Sequence, residues 1–125
     1  MVYVATTGND ISGAGTQGSP YLTLAGGMQH ASASDVVEMA AGTYDGVLNY
    51  GQTVLADLTV RGASGATVIL DGENANFIMA IGSGRTVSID NIEFKNGNGP
   101  AKGGALILSG DADVTVTNCK VFSVS

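Results

Sequence analysis

Three stretches in the second half of the chain read apolar-polar-apolar-polar: Leu58-Thr59-Val60-Arg61, Val87-Ser88-Ile89-Asp90 and Val114-Thr115-Val116-Thr117. Alternation with a period of two is the pattern of a strand with one face buried. The stretches begin at 58, 87 and 114, so the pattern returns after 29 and then 27 positions. A strand that recurs at a nearly constant interval marks a chain that winds into coils and stacks them. Folding such a solenoid makes no cleft. Its candidate sites are its lateral faces, its corner loops and its ends.

The 125 residues fit one domain, residues 1–125, with 1–34 as a cap region and 35–125 as coils. Glycine is abundant, at 19 residues, but shows no Gly-X-Y period, so it reads as turn punctuation between apolar runs. The net charge is −6, and the five cations, Arg61, Arg85, Lys95, Lys102 and Lys120, are scattered. Phosphate binding needs clustered cations, so nucleic acid and anionic membranes are not expected partners. The scarcity of positive charge suits an extracellular or cell-surface protein. Met1-Val2-Tyr3-Val4-Ala5 has neither a basic start nor a long apolar core, so no leader is expected in this chain, and no apolar run reaches the length of a membrane span. Cys119 is the single cysteine and sits in an alternating stretch, which reads as a buried structural thiol with no disulfide.

Along the chain, residues 2–5 form a short strand, and Thr6 to Pro20 a loop rich in Gly, Ser, Thr and Asn. Thr23 is placed to cap a helix from Leu24 to about Ala33, with Leu24, Met28 and Ala31 on one face. Gly26-Gly27 weakens that helix by about 1 kcal/mol per glycine. It is retained because a helix there would close the open top of a stacked-strand core. Strand Val36–Met39 follows, then a short strand near Thr43-Tyr44 and a less regular stretch from Val47 to Leu55. From Leu58 each coil holds up to three strands: 58–61, 67–70 and 77–81; 86–90, 92–95 and 105–108; 114–117 and 119–122. The expected fold is all-β, a parallel β-helix of about three to four coils with a short N-terminal capping helix.

The phrases Tyr3-Val4-Ala5-Thr6-Thr7-Gly8-Asn9-Asp10, Gly18-Ser19-Pro20-Tyr21-Leu22-Thr23-Leu24, Ala40-Ala41-Gly42-Thr43-Tyr44 and Leu58-Thr59-Val60-Arg61-Gly62-Ala63 resemble the N-terminal module of the right-handed parallel β-helix, pectate-lyase-like superfamily. Val87 to Phe94 and Val114 to Cys119 resemble its later rungs. The resemblance covers nearly the whole chain. It implies a right-handed helix and a function drawn from polysaccharide lyases and hydrolases, adhesins, phage tailspikes and domains without activity. Enzymes of this superfamily usually have many more coils.

Aligned by the repeat, Thr59, Ser88 and Thr115 form one outer column and Arg61, Asp90 and Thr117 the next. Adjacent strands lie about 4.8 Å apart, so members of a column touch. One reading is structural: a hydroxyl ladder with exposed pairs Arg61–Asp90 and Glu93–Lys120, each worth about 0–1 kcal/mol. The other is a shallow carbohydrate platform formed by these six residues. Against the platform, there is no tryptophan, and all four tyrosines precede the regular coils. Asn91 and Asn118 fall at one corner of successive coils and read as an asparagine ladder. Asp71-Gly72-Glu73-Asn74 is the densest group of oxygen ligands, read either as a solvated corner or as a calcium site held by Asp71, Glu73 and Asn74. No other cofactor is expected. Asp90 has no acidic partner in its column, so no acid/base pair is evident, and His30 reads as a surface residue of the cap helix.

The terminal strand pattern, Val121-Phe122-Ser123-Val124-Ser125, carries no cap, which predicts either a piece of a longer β-helix or, for a chain soluble as given, a homo-oligomer joined through the C-terminal coil. The expected function is a non-catalytic scaffold or binding module with a polysaccharide as ligand. The alternative is a polysaccharide lyase or glycoside hydrolase completed by oligomerisation.

Overall fold

A computed structural model describes residues 1–98 and 104–122. After β1 (Val2–Val4) the chain forms one short helix, α1 (Leu24–Gln29), and then begins to coil. The first coil contains β2 (Val36–Met39), β3 (Gly42–Tyr44) and β4 (Gln52–Val54). The second contains β5 (Thr59–Gly62), β6 (Val68–Asp71) and β7 (Met79–Ile81). The third contains β8 (Thr86–Asp90), β9 (Glu93–Lys95) and β10 (Leu106–Leu108), and the last turn β11 (Asp113–Thr117) and β12 (Lys120–Phe122). Every ladder is parallel. The strands stack into three sheets, ordered β1-β2-β5-β8-β11, β3-β6-β9-β12 and β4-β7-β10. This is the expected all-β solenoid, of about three turns.

The alternation in sequence becomes an inside and an outside. Val2, Val37, Val60, Ile89 and Val116 are register partners up the five-stranded sheet. The first four are buried, whereas Val116 on the last turn is 45% exposed. In the second sheet Tyr44, Leu70, Phe94 and Val121 stack in the same way, and in the third Val54, Ile81 and Leu108. Each inward side chain is covered only by the coils beside it, which is the physical basis of the repeat.

Corners are made by residues that accept positive φ. Asn91 and Asn118 both adopt it, at 57° and 52°, as expected for one repeated corner. Their amides do not bond to each other as a ladder would. Asn91 Nδ2 reaches Ala63 O at 3.0 Å and Ala66 O at 3.3 Å in the coil before, and Asn118 Nδ2 reaches Asp90 Oδ1 at 2.9 Å. The preceding position is Gly62, which has no amide to continue a stack.

The cap helix is shorter than the expected Leu24 to Ala33. It ends at Gln29, with His30 as its C-cap, because Ser34 takes a left-handed φ of 68° and Asp35 binds the Ser32 and Val36 amides to turn the chain into β2. Thr23 caps as expected, its hydroxyl accepting from Gly26 N at 3.0 Å. The two glycines are explained by contact. A Cβ on Gly27 would lie 2.5 Å from Val4 Cγ2, and one on Gly26 would lie 2.1 Å from Asp10 Oδ1. The helix therefore sits directly on the end of the core at the cost of intrinsic helix propensity. Asp10 fixes it there: Oδ1 accepts from Leu22 N at 2.7 Å and Thr23 N at 3.1 Å, and Oδ2 accepts from the Thr23 hydroxyl at 2.5 Å.

Candidate functional site on the five-stranded face

The outward residues of the five-stranded sheet form two columns. Tyr3, Glu38, Arg61, Asp90 and Thr117 are successive register partners from β1 to β11. Beside them run Val36, Thr59, Ser88 and Thr115. The six residues singled out in the sequence, Thr59, Arg61, Ser88, Asp90, Thr115 and Thr117, therefore share one face. Two further members, Glu38 and Tyr3, escape the sequence reading. Arg61 follows Glu38 by only 23 positions, whereas Thr117 follows Asp90 by 27. The first coil is shorter than the interval that aligned the others. The signal that finds Glu38 is the alternation of Val36-Val37-Glu38-Met39 itself.

These additions correct three expectations. Asp90 does have an acidic residue in its column: Glu38, two strands away, with Arg61 between them. One tyrosine, Tyr3, lies on the face at the end of this column. Arg61 forms its ion pair with Glu38 rather than Asp90, Nε to Oε1 at 3.1 Å. Asp90 Oδ1 instead accepts from the Thr117 hydroxyl at 2.8 Å and from Asn118 Nδ2 at 2.9 Å. The hydrogen bonds from Asn118 and then Thr117 hold the Asp90 carboxyl below its ordinary range, with a smaller attraction from Arg61. Asp90 is thus ionised at neutral pH. It can accept hydrogen bonds or a proton but is a poor general acid.

A depression of about 410 Å³ opens on this face, its floor set by Glu38, Arg61 and Asp90 and its rim by the Gly62-to-Gly65 corner and Asn91. A second hollow of about 370 Å³ borders the hydroxyl column, between Asp57, Thr59, Thr86 and Ser88. Both are shallow and polar. Glu93 and Lys120 are register partners, as expected, but on the second sheet, and the ion pair expected between them is not formed among the described residues.

Asp71, Glu73 and Asn74 lie apart from this face, at the corner after β6. Asp71 Oδ1 accepts from Glu73 N at 2.8 Å and from Asn96 Nδ2 at 3.1 Å, and Glu73 Oε2 accepts from Gly46 N at 2.9 Å. Glu73 and Asn74 both take left-handed φ, 54° and 58°. These bonds give the corner's oxygens a role in shaping the turn. Among the described residues no group of three or more His, Cys, Asp or Glu side chains is gathered as a metal site. His30 does have partners: Nδ1 lies 2.8 Å from Gly26 O, and its ring stacks on Tyr21 with centroids 4.4 Å apart. The Cys119 thiol is half-buried beside Thr117 O and Ile89 O, and burial pushes its pKa up, so it is not an activated nucleophile. Among the described residues no helix is long and apolar enough to cross a membrane.

A family model described as a protein of unknown function, DUF1565, matches residues 6–121, nearly the whole solenoid. The chain belongs to the DUF1565 family. No curated protein and no solved structure matches it. In this DUF1565 chain the match begins after β1 and runs into β12, so it takes in all the strands of the face except the one that carries Tyr3.

Proposed function

We propose that this DUF1565 chain is a non-catalytic, extracellular-type β-solenoid module that binds carbohydrate along its five-stranded face. The observation that carries the reading is the outer column Tyr3–Glu38–Arg61–Asp90–Thr117 beside the hydroxyls of Thr59, Ser88 and Thr115. Sugar recognition needs many hydrogen-bonding groups at fixed spacing on a rigid surface, and an aromatic ring at a sugar's apolar face; a solenoid sheet supplies both at strand intervals of about 4.8 Å. Membership of the pectate-lyase-like superfamily is part of the proposal, supported by the three-stranded parallel coils and the asparagine corners. So is a second copy seated on the last turn, where Leu108, Val116 and Val121 continue the core columns but are 45–57% exposed.

One observation favours a hydrolase as the second reading. Glu38 and Asp90 stand two strand steps apart, about 9.6 Å by ideal spacing, just beyond the roughly 6.5–9.5 Å that separates the carboxyls of inverting glycosidases. Against it, Arg61 occupies the gap and Asp90 is held ionised, which leaves an acid unprovided. The test is co-sedimentation with insoluble polysaccharides, with and without calcium, followed by assay of the supernatant for reducing and unsaturated ends. Retention without product supports the binding module. Product formation that is lost in Asp90→Asn overturns it in favour of the enzyme.

A further inference from the structure

Resting on the binding-face reading, we infer that the Glu38–Arg61–Asp90 depression selects neutral sugars, recognising their hydroxyls, and rejects uronic acids. The argument lies in which atoms remain free. Arg61 uses Nε on Glu38, and its Nη2 meets only the Met1 sulfur, at 4.0 Å. Among the described residues no oxygen accepts from its terminal nitrogens. Glu38 uses Oε1, and Asp90 uses Oδ1 twice, so Oε2 and Oδ2 have no partner among the described residues. The floor of the depression therefore offers acceptor, donor, acceptor at successive strand steps.

A hydroxyl group both donates and accepts, so neighbouring hydroxyls of a neutral sugar can donate to the carboxylates while accepting from the guanidinium. The carboxylate of a uronic acid can only accept, so of these groups it can use the guanidinium alone. It would meet two carboxylates on either side of a cation already paired with one of them, in a chain of net charge −6. Ser64 and Asn91 at the rim add further neutral hydrogen-bonding groups and no positive charge. Tyr3, next in the column beyond Glu38, stands where a second sugar of the same chain would pass.

The experiment is a printed array of neutral hexose oligosaccharides and uronic-acid oligosaccharides of matched length, probed with the wild-type chain and with Glu38→Gln/Asp90→Asn. The inference predicts that the wild type retains neutral glycans and not uronates. It also predicts that the double variant shifts the ratio toward uronates by at least about ten-fold, which corresponds to about 1.4 kcal/mol. Stronger wild-type binding to uronates overturns the selectivity and leaves the binding face standing. Retention of no glycan of either class overturns both. The wild-type comparison alone decides selectivity should the variant fail to fold.

Discussion

A stacked-coil core makes the cost of one substitution depend on its place in the column, and Val60 and Val116 test this. They lie in the same inward column of the five-stranded sheet, Val60 between Val37 and Ile89 and fully buried, Val116 on the last turn and 45% exposed. Val→Ala deletes two carbons from each. At Val60 the lost transfer free energy is about 0.8 kcal/mol per carbon, and the cavity left between two coils adds to it, for a total of about 2–3 kcal/mol. At Val116 roughly half the side chain is already in water and the void opens to solvent, so the cost falls below about 1 kcal/mol. With a urea m-value of about 1.5 kcal/mol/M, the two midpoints separate by about 1 M. Urea unfolding followed by far-UV circular dichroism at low protein concentration measures the difference. Equal midpoints for the two variants, or a larger loss at Val116, would refute the nearest-neighbour stacking argument.

Other outcomes follow from the cap, the face and the titrating groups. Asp10→Ala removes three hydrogen bonds at the helix entrance and should cost about 2–4 kcal/mol, read as a lower thermal midpoint. Gly27→Ala, which on helix propensity alone would stabilise by about 1 kcal/mol, should destabilise because its Cβ meets Val4 and Val37. The Asp90 pKa is lower in the folded chain, so its contribution to stability is present above the unfolded carboxylate value of about 3.9 and is lost as pH falls through the folded value. Asp90→Asn should flatten stability against pH below about 4, and unchanged acid limbs would contradict the Thr117 and Asn118 bonds. Burial pushes the Tyr44 hydroxyl up to about 12, so one tyrosine should ionise later than the others in an ultraviolet pH titration, with stability falling as pH rises from about 10 toward that value. If a second copy covers the last turn, light scattering will give a dimer that Val121→Asp returns to monomer; a wild-type monomer at every concentration would remove that part of the proposal.

The coils after Leu58 were legible because their alternation and interval carry the fold redundantly: β8 and the register of Arg61, Asp90 and Thr117 are as the repeat requires. The first coil was less legible. Its step of 23 positions breaks the interval, and β4 is a three-residue strand behind a loop, too short to show a period. That is why Glu38 was missed, and with it both Arg61's true partner and the second carboxylate of the row. Tyr3 is hidden for a related reason: β1 lies 35 positions before its neighbour in the sheet, with the cap between them, so no local pattern ties it to the face. Side-chain direction at a corner is also invisible to spacing. Asn91 and Asn118 share a backbone conformation, but the residue beneath each decides where its amide turns. Asp10, which anchors the cap across 13 positions, sits in a loop whose composition announces only a turn.

The central claim is that successive coils lie in parallel register and bring residues far apart in sequence into one row. Nuclear Overhauser contacts in isotope-labelled protein test it most directly. The account predicts methyl contacts from Val60 to both Val37 and Ile89, with parallel-strand backbone contacts joining Thr59 to Ser88 and Ser88 to Thr115. Val60 methyls without a contact to Ile89, or antiparallel contacts between those strands, would contradict the stacked solenoid and the binding face built on it.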